Sequence, residues 1–386
     1  MAPPRGLGQL MGILGLLLVA LVPHLVAADC ECGFVARSPL TKKQAQDYPG
    51  PDQLFFTNML ESRFYDIKNI SRDSTWKRQQ YNVSARAGRG EYGKTFTANN
   101  VYSVPQTGAL DDPAQLSAGY SDSTNGGIAL VVSSALANDS IPVAELDSAR
   151  SDMAFGSYRA GLKLTPVNGT CAAFFWYFND TQEIDMEFLS REFDVEKHVY
   201  PVNLVIQSEA SRQAGYDASK TGTFKVVNLA FNPTIGFHEY RFDFLQDRVR
   251  FYADSRLLAE MNGTSVPTSP GHLILQHWSN GNPLWSGGPP EEDAALTVGY
   301  VKAYFNSSDA KAQSSWNSGC QKALSKGSNA TVCEVPNVTA VNSTTGGTFF
   351  NTSDPNDEEE NGAARLGSTW ATTAIALLLV LVLTCL

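Results

Sequence analysis

The chain has 386 residues and a formal net charge of −10 at pH 7. An acidic chain lacks the basic surface that binding to nucleic acid phosphates requires, so we expect no nucleic acid partner. Its length exceeds that of a usual single domain, although all-β sandwiches commonly reach this size.

The first 28 residues have the layout of a secretory signal peptide. Arg5 precedes an apolar run over residues 10–22, and small residues follow at positions 26–28. Such a segment is removed on export. The alternative is an N-terminal membrane anchor, which requires a longer uninterrupted apolar span.

Residues 29–308 are predicted to form one β-sandwich domain with an N-terminal extension. Helix patterns are short, and the best is KKQAQDY at residues 42–48. Strand patterns recur: Tyr240, Phe242 and Phe244 alternate with polar residues, and turns follow at residues 246–247 and 254–255. Period-two alternation between short turns predicts antiparallel strands that each bury one face. Many strands without helices between them favour an all-β, two-sheet antiparallel sandwich.

Three carboxylates, Glu183, Asp185 and Glu187, alternate with apolar residues. Alternate side chains of a strand share a face, so the three acids face one way and Ile184 and Met186 the other. Like charges crowded on one strand destabilise it unless solvent, substrate or a partner offsets them. A retaining glycosidase uses such a pair of acids as nucleophile and as acid/base. A solvated acidic face is the alternative interpretation.

Aromatic residues precede this strand in the segment CAAFFWYFND. The C–H faces of a sugar ring pack on flat aromatic surfaces, while its hydroxyls need polar edges. Phe174, Trp176 and Phe178 alternate with Phe175 and Tyr177, so one set faces outward. The alternative for either set is burial in the core.

The segment QHWSNGNPLWSGGPP places two tryptophans among Ser, Asn and Gly rather than in an apolar pattern. We therefore predict Trp278 and Trp285 for sugar stacking, with Gln276, His277 and Asn280 as hydrogen-bonding neighbours. The histidines of the mature chain lack ligand-like spacing, and no glycine-rich turn matches a phosphate loop. We expect no cofactor and no catalytic metal.

Glycosylation sequons and cysteines agree with export. The sequons are Asn69, Asn82, Asn138, Asn168, Asn179, Asn262, Asn306, Asn329, Asn337, Asn342 and Asn351. This density suits a glycosylated surface protein. The cysteines of the mature chain are Cys30, Cys32, Cys171, Cys320 and Cys333. In an oxidising compartment we expect a Cys320–Cys333 disulfide and one bridge among the other three, with one cysteine left over.

The C-terminal part has the composition of a tether. Residues 309–361 are predicted to form a glycosylated stalk rich in Ser, Thr and Asn, because they cannot bury enough apolar surface to fold. Residues 362–386 end in an apolar run without a trailing basic residue, and small residues at 361–363 precede it. This pattern indicates a GPI-attachment signal at Asn361 or Gly362. The alternative, a spanning helix, normally carries basic residues on its cytoplasmic side.

Several of these segments resemble glycoside hydrolase family 16. EIDMEFLS resembles the family's E-[ILV]-D-x-E signature in the form similar to bacterial lichenases, and FHEYRFDFLQDRVRFYADSRLL resembles its hairpins. The resemblance covers roughly residues 85–305, and CAAFFWYFND points to a fungal branch. Phe244, Ser255 and Gln276 depart from the family's usual Trp, Gly and Asn, which affects the expected subsite preference.

The resemblance implies a β-jelly roll with a sugar-binding cleft. It assigns Glu183 as nucleophile, Asp185 as assisting acid and Glu187 as general acid/base. Tyr158 and Trp176 lie in matched flanking strands, and we predict both for substrate binding. The family permits a structural calcium, although no residue of this sequence identifies one.

The main prediction is a retaining endo-acting enzyme that cuts β-1,3 or mixed β-1,3/1,4 linkages of cell-wall β-glucan. A glucan transglycosylase would use the same nucleophile but transfer the glycosyl unit to a sugar hydroxyl. A non-catalytic glucan-binding protein is a third possibility, although a lectin has no physical use for the crowded acids. We expect a monomer, extracellular at the cell surface or wall and GPI-anchored to the plasma membrane.

Overall fold

The structure, a computed structural model, describes residues 30–104, 126–326, 332–339 and 346–350. The predicted signal peptide, the GPI-attachment segment and the end of the stalk lie outside the described residues. Strands dominate the rest, and they form two large sheets and one small sheet. The prediction of an all-β, two-sheet sandwich is confirmed.

Nine strands form the front sheet, which carries the three carboxylates. Neighbouring strands are antiparallel except for Gly93–Phe96 and Ser140–Ser148, which pair in parallel, and Trp76–Arg78 pairs with Ser140–Ser148 outside the main order. In hydrogen-bonded order the strands are β14 (Phe224–Asn228), β13 (Pro201–Ser208), β12 (Gln182–Leu189), β11 (Cys171–Asn179), β18 (His272–Trp278), β9 (Ser140–Ser148), β6 (Gly93–Phe96) and β5 (Tyr81–Val83), with β4 (Trp76–Arg78) beside them.

Eight strands form the back sheet, all in antiparallel pairs. The two turns predicted from the sequence join β15 to β16 and β16 to β17. In hydrogen-bonded order the strands are β17 (Arg256–Asn262), β16 (Arg248–Ala253), β15 (His238–Phe244), β10 (Met153–Lys163), β19 (Ala294–Ser307), β8 (Gly127–Val132) and β7 (Val101–Val104), and β3 (Asn58–Arg63) pairs with β19.

The remaining elements are short, apart from one helix of 16 residues. A small sheet has the order β2 (Gln53–Phe56), β1 (Phe34–Arg37) and β20 (Cys333–Val335). The α-helices are α1 (Lys42–Asp47), α2 (Ala85–Gly88), α3 (Glu209–Gln213) and α4 (Ala310–Ser325). Single 3-10 turns span Phe64–Asp66, Ile70–Arg72, Ala98–Asn100, Ser190–Glu192 and Ala218–Thr221. The helix predicted at residues 42–48 is α1, which begins at a Thr41 capping box.

The main core lies between the front and back sheets. Ile184 and Met186 of β12 are fully buried there, as their alternation with the acids predicts. Tyr240, Phe242 and Phe244 of β15 meet them from the back sheet. This apolar packing fixes the register of β12, because a slip of one residue would bury the carboxylates instead.

The outer face of the back sheet differs from the prediction that each strand buries one face. Every residue of β15 is buried, including Arg241 and Asp243, which form an ion pair at 2.7 Å. The small sheet and the C-terminal segment cover this face: Arg241 donates to the backbone oxygen of Arg37, and Lys302 donates to that of Thr348. The polar residues of β15 therefore form a second, charged interior rather than a solvated surface.

The disulfides also differ from prediction. The structure joins Cys30 to Cys333 and Cys32 to Cys320, so the predicted Cys320–Cys333 pair is wrong. Cys320 lies in α4 and Cys333 in β20, and the parallel pairing of β20 with β1 brings Cys333 to the N-terminal cysteines instead. Cys171 is free and buried.

The stalk predicted from residue 309 does not begin there. α4 follows at once, and a disulfide ties it to the N-terminal segment. Farther on, Phe350 packs on Phe34 with ring centroids 5.6 Å apart, and Phe349 contacts Tyr300 at 6.0 Å. The C-terminal residues find apolar partners on the back sheet, which their local composition does not reveal. In the described part of the chain, no helix has both the length and the apolar character needed to cross a membrane.

Candidate active site

A cleft of about 790 Å³ crosses the front sheet. Its lining residues come from every strand in the order β5 to β14, and from loops at both sides. With neighbouring strands about 4.8 Å apart, the cleft crosses about 30 Å of sheet. Glu183, Asp185 and Glu187 all line it, so the structure brings the three predicted acids together.

Glu183 and Asp185 form a hydrogen-bonded pair on β12. Asp185 is only 4% exposed, and its burial, followed by the neighbouring charge of Glu183, holds its pKa well above its usual range. The hydrogen bond between the two side chains raises the pKa of Asp185 and lowers that of Glu183, so Asp185 is the donor of the pair. Burial raises the pKa of Glu183 to about 7, while the hydrogen bond from Asp185 opposes this rise.

Glu187 has different partners, four residues along the strand. Cys171 Sγ and Trp285 Nε1 both lie 3.4 Å from its Oε1 atom. Burial raises the pKa of Glu187, and these two hydrogen bonds lower it. The positive charges of Lys94 and Arg89 act in the same lowering direction. The two glutamates thus lie in distinct environments on one strand, which is how a pair of acids acquires separate roles.

Four of the predicted substrate-binding residues line the cleft: Gln276, Trp278, Asn280 and Trp285. Lys94 Nζ lies 4.3 Å from the ring centroid of Trp278 and covers that ring with a cation–π contact. The Asn280 amide donates to the backbone oxygen of Gly88 at 2.6 Å. Asn280 therefore shapes the wall of the cleft by holding two loops together.

The prediction that Trp176 and Tyr158 bind substrate is wrong, because both side chains are fully buried in the main core. Trp176 donates to the backbone oxygen of Met153 at 3.1 Å and packs on Phe244. Tyr158 packs on Phe242. Successive side chains of a strand point to opposite faces, and the even-numbered residues of β11 up to Trp176 face the core. The other aromatic set, Phe175 and Tyr177, therefore faces the cleft.

The prediction that His277 forms hydrogen bonds to the substrate is also wrong. It pairs with Ala172 on the core side of β18 and is fully buried. Its Nδ1 lies 2.8 Å from the backbone oxygen of Leu130, and burial lowers its pKa to about 4. A neutral imidazole buried behind the sheet cannot contact a sugar in the cleft.

Sequence reasoning missed a second acidic pair, Glu145 and Asp147 on β9. Tyr81 donates to Glu145 at 2.9 Å, and Gln276 also donates to it. Burial and the charge of Glu145 raise the pKa of Asp147 to about 8. The segment IPVAELDSA carries the same period-two alternation of acidic and apolar residues as the first triad, and that signal could have identified the pair.

Phe175 and Tyr177 supply the aromatic floor of the cleft beside Asp185 and Glu183. In the described part of the chain, no group of three or more His, Cys, Asp or Glu side chains could hold a metal ion. Carboxyl groups and aromatic rings are prominent among the lining side chains of the cleft.

Comparison with known proteins finds a matching family model and several related proteins. The family model for glycosyl hydrolases family 16 matches residues 119–302. A β-glucanase of Paenibacillus polymyxa is 27% identical over 139 residues, which is 34% of this chain and 52% of that protein. Congo red hypersensitive protein 1 of Saccharomyces cerevisiae is 25% identical over 158 residues, 38% of this chain and 29% of that protein. The chain thus spans about half the length of the bacterial relative.

Among solved structures, a prokaryotic β-1,3-1,4-glucanase (lichenase) derived from a mouse hindgut metagenome is 16% identical, with a TM-score of 0.44. The match covers 64% of this chain and 99% of that one.

Proposed function

From the premise that residues 119–302 are a glycosyl hydrolases family 16 domain, we propose that this protein is a retaining endo-β-glucanase. The substrate is a β-1,3 or mixed β-1,3/1,4 glucan of the cell wall. The observation that carries the proposal is the placement of Glu183, Asp185 and Glu187 on one strand in a cleft that crosses the whole front sheet. A cleft open across the sheet accepts the interior of a polymer, which supports endo action.

In the first step, the Glu183 carboxylate attacks the anomeric carbon while the Glu187 carboxyl group protonates the departing glycosidic oxygen. The C–O bond to the leaving sugar breaks, and a covalent glycosyl-enzyme forms on Glu183. In the second step, Glu187 takes a proton from water, and the water oxygen displaces Glu183 with overall retention. Asp185 stabilises the Glu183 carboxylate by donating a hydrogen bond to it.

The rest of the cleft suits a neutral polysaccharide. Phe175 and Tyr177 offer flat surfaces for the C–H faces of glucose units. Glu145, Asp147 and Gln276 offer hydrogen-bonding groups at the β9 side. A carboxyl-rich cleft disfavours an acidic polysaccharide, because each substrate carboxylate would meet like charges.

A glucan transglycosylase is the second candidate, and one observation favours it. An apolar surface adjoins Glu187, where the acceptor must enter. Trp285 donates to Glu187, and its ring centroid lies 6.2 Å from that of Phe224. The neighbouring Leu284 also lines the cleft and is 81% exposed. Such a surface could hold an acceptor sugar in place of water.

Incubation of the secreted protein with laminarin, barley glucan and a labelled oligosaccharide acceptor separates these functions. Shorter products with unlabelled ends indicate hydrolysis, and label in longer products indicates transfer. The proposal would be contradicted if the protein altered the chain length of neither glucan under conditions in which a bacterial β-glucanase cuts both. Glu183→Gln is the matched control for contaminating activity, because it keeps the side-chain shape but removes the nucleophile.

The cellular setting belongs to the same proposal: an exported glycoprotein of a fungal cell surface with a GPI anchor. Two disulfides and the exposed sequons Asn69, Asn82, Asn138, Asn168, Asn179 and Asn262 support export. Phosphatidylinositol-specific phospholipase C should release the protein from intact membranes. Retention after complete treatment would indicate a spanning helix instead.

A further inference from the structure

Cys171 is a buried thiol for which the proposed chemistry has no assigned role. It is the free cysteine of the described chain, since Cys30, Cys32, Cys320 and Cys333 form disulfides. It has no exposed surface. Its sulfur nevertheless lies 3.4 Å from Oε1 of Glu187.

The register of β11 and β12 explains this contact. Ala173 pairs with Glu187 and Cys171 with Leu189, so Cys171 lies diagonally opposite Glu187 on the cleft side of the sheet. Side chains in that diagonal relation are within reach of each other. The contact therefore follows from the strand pairing itself, which also fixes the three acids.

Two donors converge on the same carboxylate oxygen. Trp285 Nε1 is also 3.4 Å from Oε1 of Glu187, and it approaches from the loop after β18. None of the residues that the structure describes donates to the other oxygen, Oε2. The carboxyl group is thus held at one oxygen, while the second remains available to a substrate.

The charges around Glu187 come from several elements. Lys94 on β6 and Arg89 after α2 favour its carboxylate form. Glu183 and Asp185 on its own strand are the neighbouring acids, and the charge of Glu187 raises the pKa of both. Burial, and then the charge of Glu187, hold the pKa of the Cys171 thiol well above its usual range. The thiol is therefore protonated at neutral pH and can act only as a donor toward Glu187.

We propose that Cys171 is a positioning residue whose thiol, together with the Trp285 indole, holds Oε1 of Glu187 so that Oε2 meets the leaving-group oxygen. This inference rests on the proposed role of Glu187 as general acid/base. It assigns no bond-making step to the sulfur. The nearer acceptor of the thiol is the Glu187 carboxyl group at 3.4 Å, and the backbone oxygen of Ala172 lies at 3.8 Å. Burial protects the sulfur from reagents in solvent.

Cys171→Ala in the full chain removes the donor, and Cys171→Ser is the matched variant that keeps one. A donor to the carboxylate lowers its pKa, so its loss should raise the pKa of Glu187. The basic limb of the pH profile of kcat/KM should then move up by about half to one pH unit in the alanine variant, less than for a strong donor to a carboxylate, because a thiol is a weak donor. The serine variant should keep its limb near that of the unsubstituted protein.

Substrate choice separates positioning from general damage. A dinitrophenyl glycoside needs little protonation of its leaving group, so Cys171→Ala should slow cleavage of glucan several-fold more than cleavage of this substrate. Equal losses on both substrates, or a basic limb that does not move, would overturn the inference.

A measurement independent of activity covers the case in which the alanine variant folds poorly. The S–H stretching band of Cys171 in the Raman spectrum should shift to higher frequency in Glu187→Ala, because the thiol loses its acceptor. Subtracting the spectrum of Cys171→Ser isolates the band. An unshifted band would refute the hydrogen bond even in an active protein. Absence of glucanase activity with a shifted band would instead count against the proposed function alone.

Discussion

Asp185 provides a sharp test of how the acids share their protons. The structure buries Asp185, places it in a hydrogen bond with Glu183 and raises its pKa well above its usual range. We therefore expect Asp185 to be a neutral donor in the active enzyme. Asp185→Asn keeps a donor and adds no charge, whereas Asp185→Leu removes the donor and keeps a similar volume.

The acidic limb of the pH profile of kcat/KM should report Glu183, which must be ionised to attack. A hydrogen bond to a charged group contributes about 1.5–3 kcal/mol, and one pH unit corresponds to about 1.4 kcal/mol. In the folded protein, the hydrogen bond from Asp185 lowers the pKa of Glu183. The loss of this bond in Asp185→Leu should therefore move the acidic limb to higher pH by about 1–2 pH units. In Asp185→Asn the limb should stay within about half a unit of the unsubstituted protein.

Initial rates on barley glucan between about pH 3 and 10, taken at low substrate concentration, give both limbs. If Asp185 were ionised in the active enzyme, Asp185→Asn would delete a negative charge beside Glu183 and lower the acidic limb. A clear downward shift in Asp185→Asn would therefore refute the assignment of a neutral Asp185. Thermal unfolding of each variant controls for loss of folded protein.

Two further predictions follow from burial and from covalent links. Trp176→Ala should lower the free energy of unfolding by about 3–5 kcal/mol in denaturant titration, because it empties a core site. A raised KM with unchanged stability in this variant would contradict the core assignment. Trp285→Ala should raise KM and lower kcat, because it removes a flat surface and a donor to Glu187, whereas Trp285→Phe should restore KM but not kcat, because it keeps a ring without the N–H. The double variant Cys32→Ser and Cys320→Ser should lose about 2–4 kcal/mol of stability, because with Cys30–Cys333 still closed the lost disulfide constrains only the short segments 30–32 and 320–333. Unchanged stability would show that α4 contributes little to the fold.

The sequence was sufficient to predict a two-sheet sandwich and a strand with Glu183, Asp185 and Glu187 on one face. Ile184 and Met186 alternate with the acids, and period-two alternation is a local property that the folded chain preserves. The same alternation leaves open which face of a strand is the core face. For that reason the two aromatic sets of β11 could not be told apart, and Trp176 was assigned to the wrong side.

The features that sequence reasoning missed depend on contacts between distant segments. The charged interior behind β15 exists because the small sheet and the C-terminal segment cover it, and the disulfides follow from the parallel pairing of β1 and β20. His277 lies one position from Gln276, yet it points to the core and Gln276 to the cleft. Loop residues such as Asn280 follow no periodicity, so their neighbours emerge only from the folded chain.

The assignment of Glu183 and Glu187 is tested most directly by azide rescue. Each glutamate is replaced by alanine, and the variants act on a dinitrophenyl β-glycoside with added azide. Glu183→Ala lacks the nucleophile, so azide should attack the anomeric carbon once and give the α-glycosyl azide. Glu187→Ala still forms the glycosyl-enzyme on Glu183, so azide should intercept it and give the β-glycosyl azide. The opposite stereochemistry, or full turnover of glucan by either variant, would contradict the account.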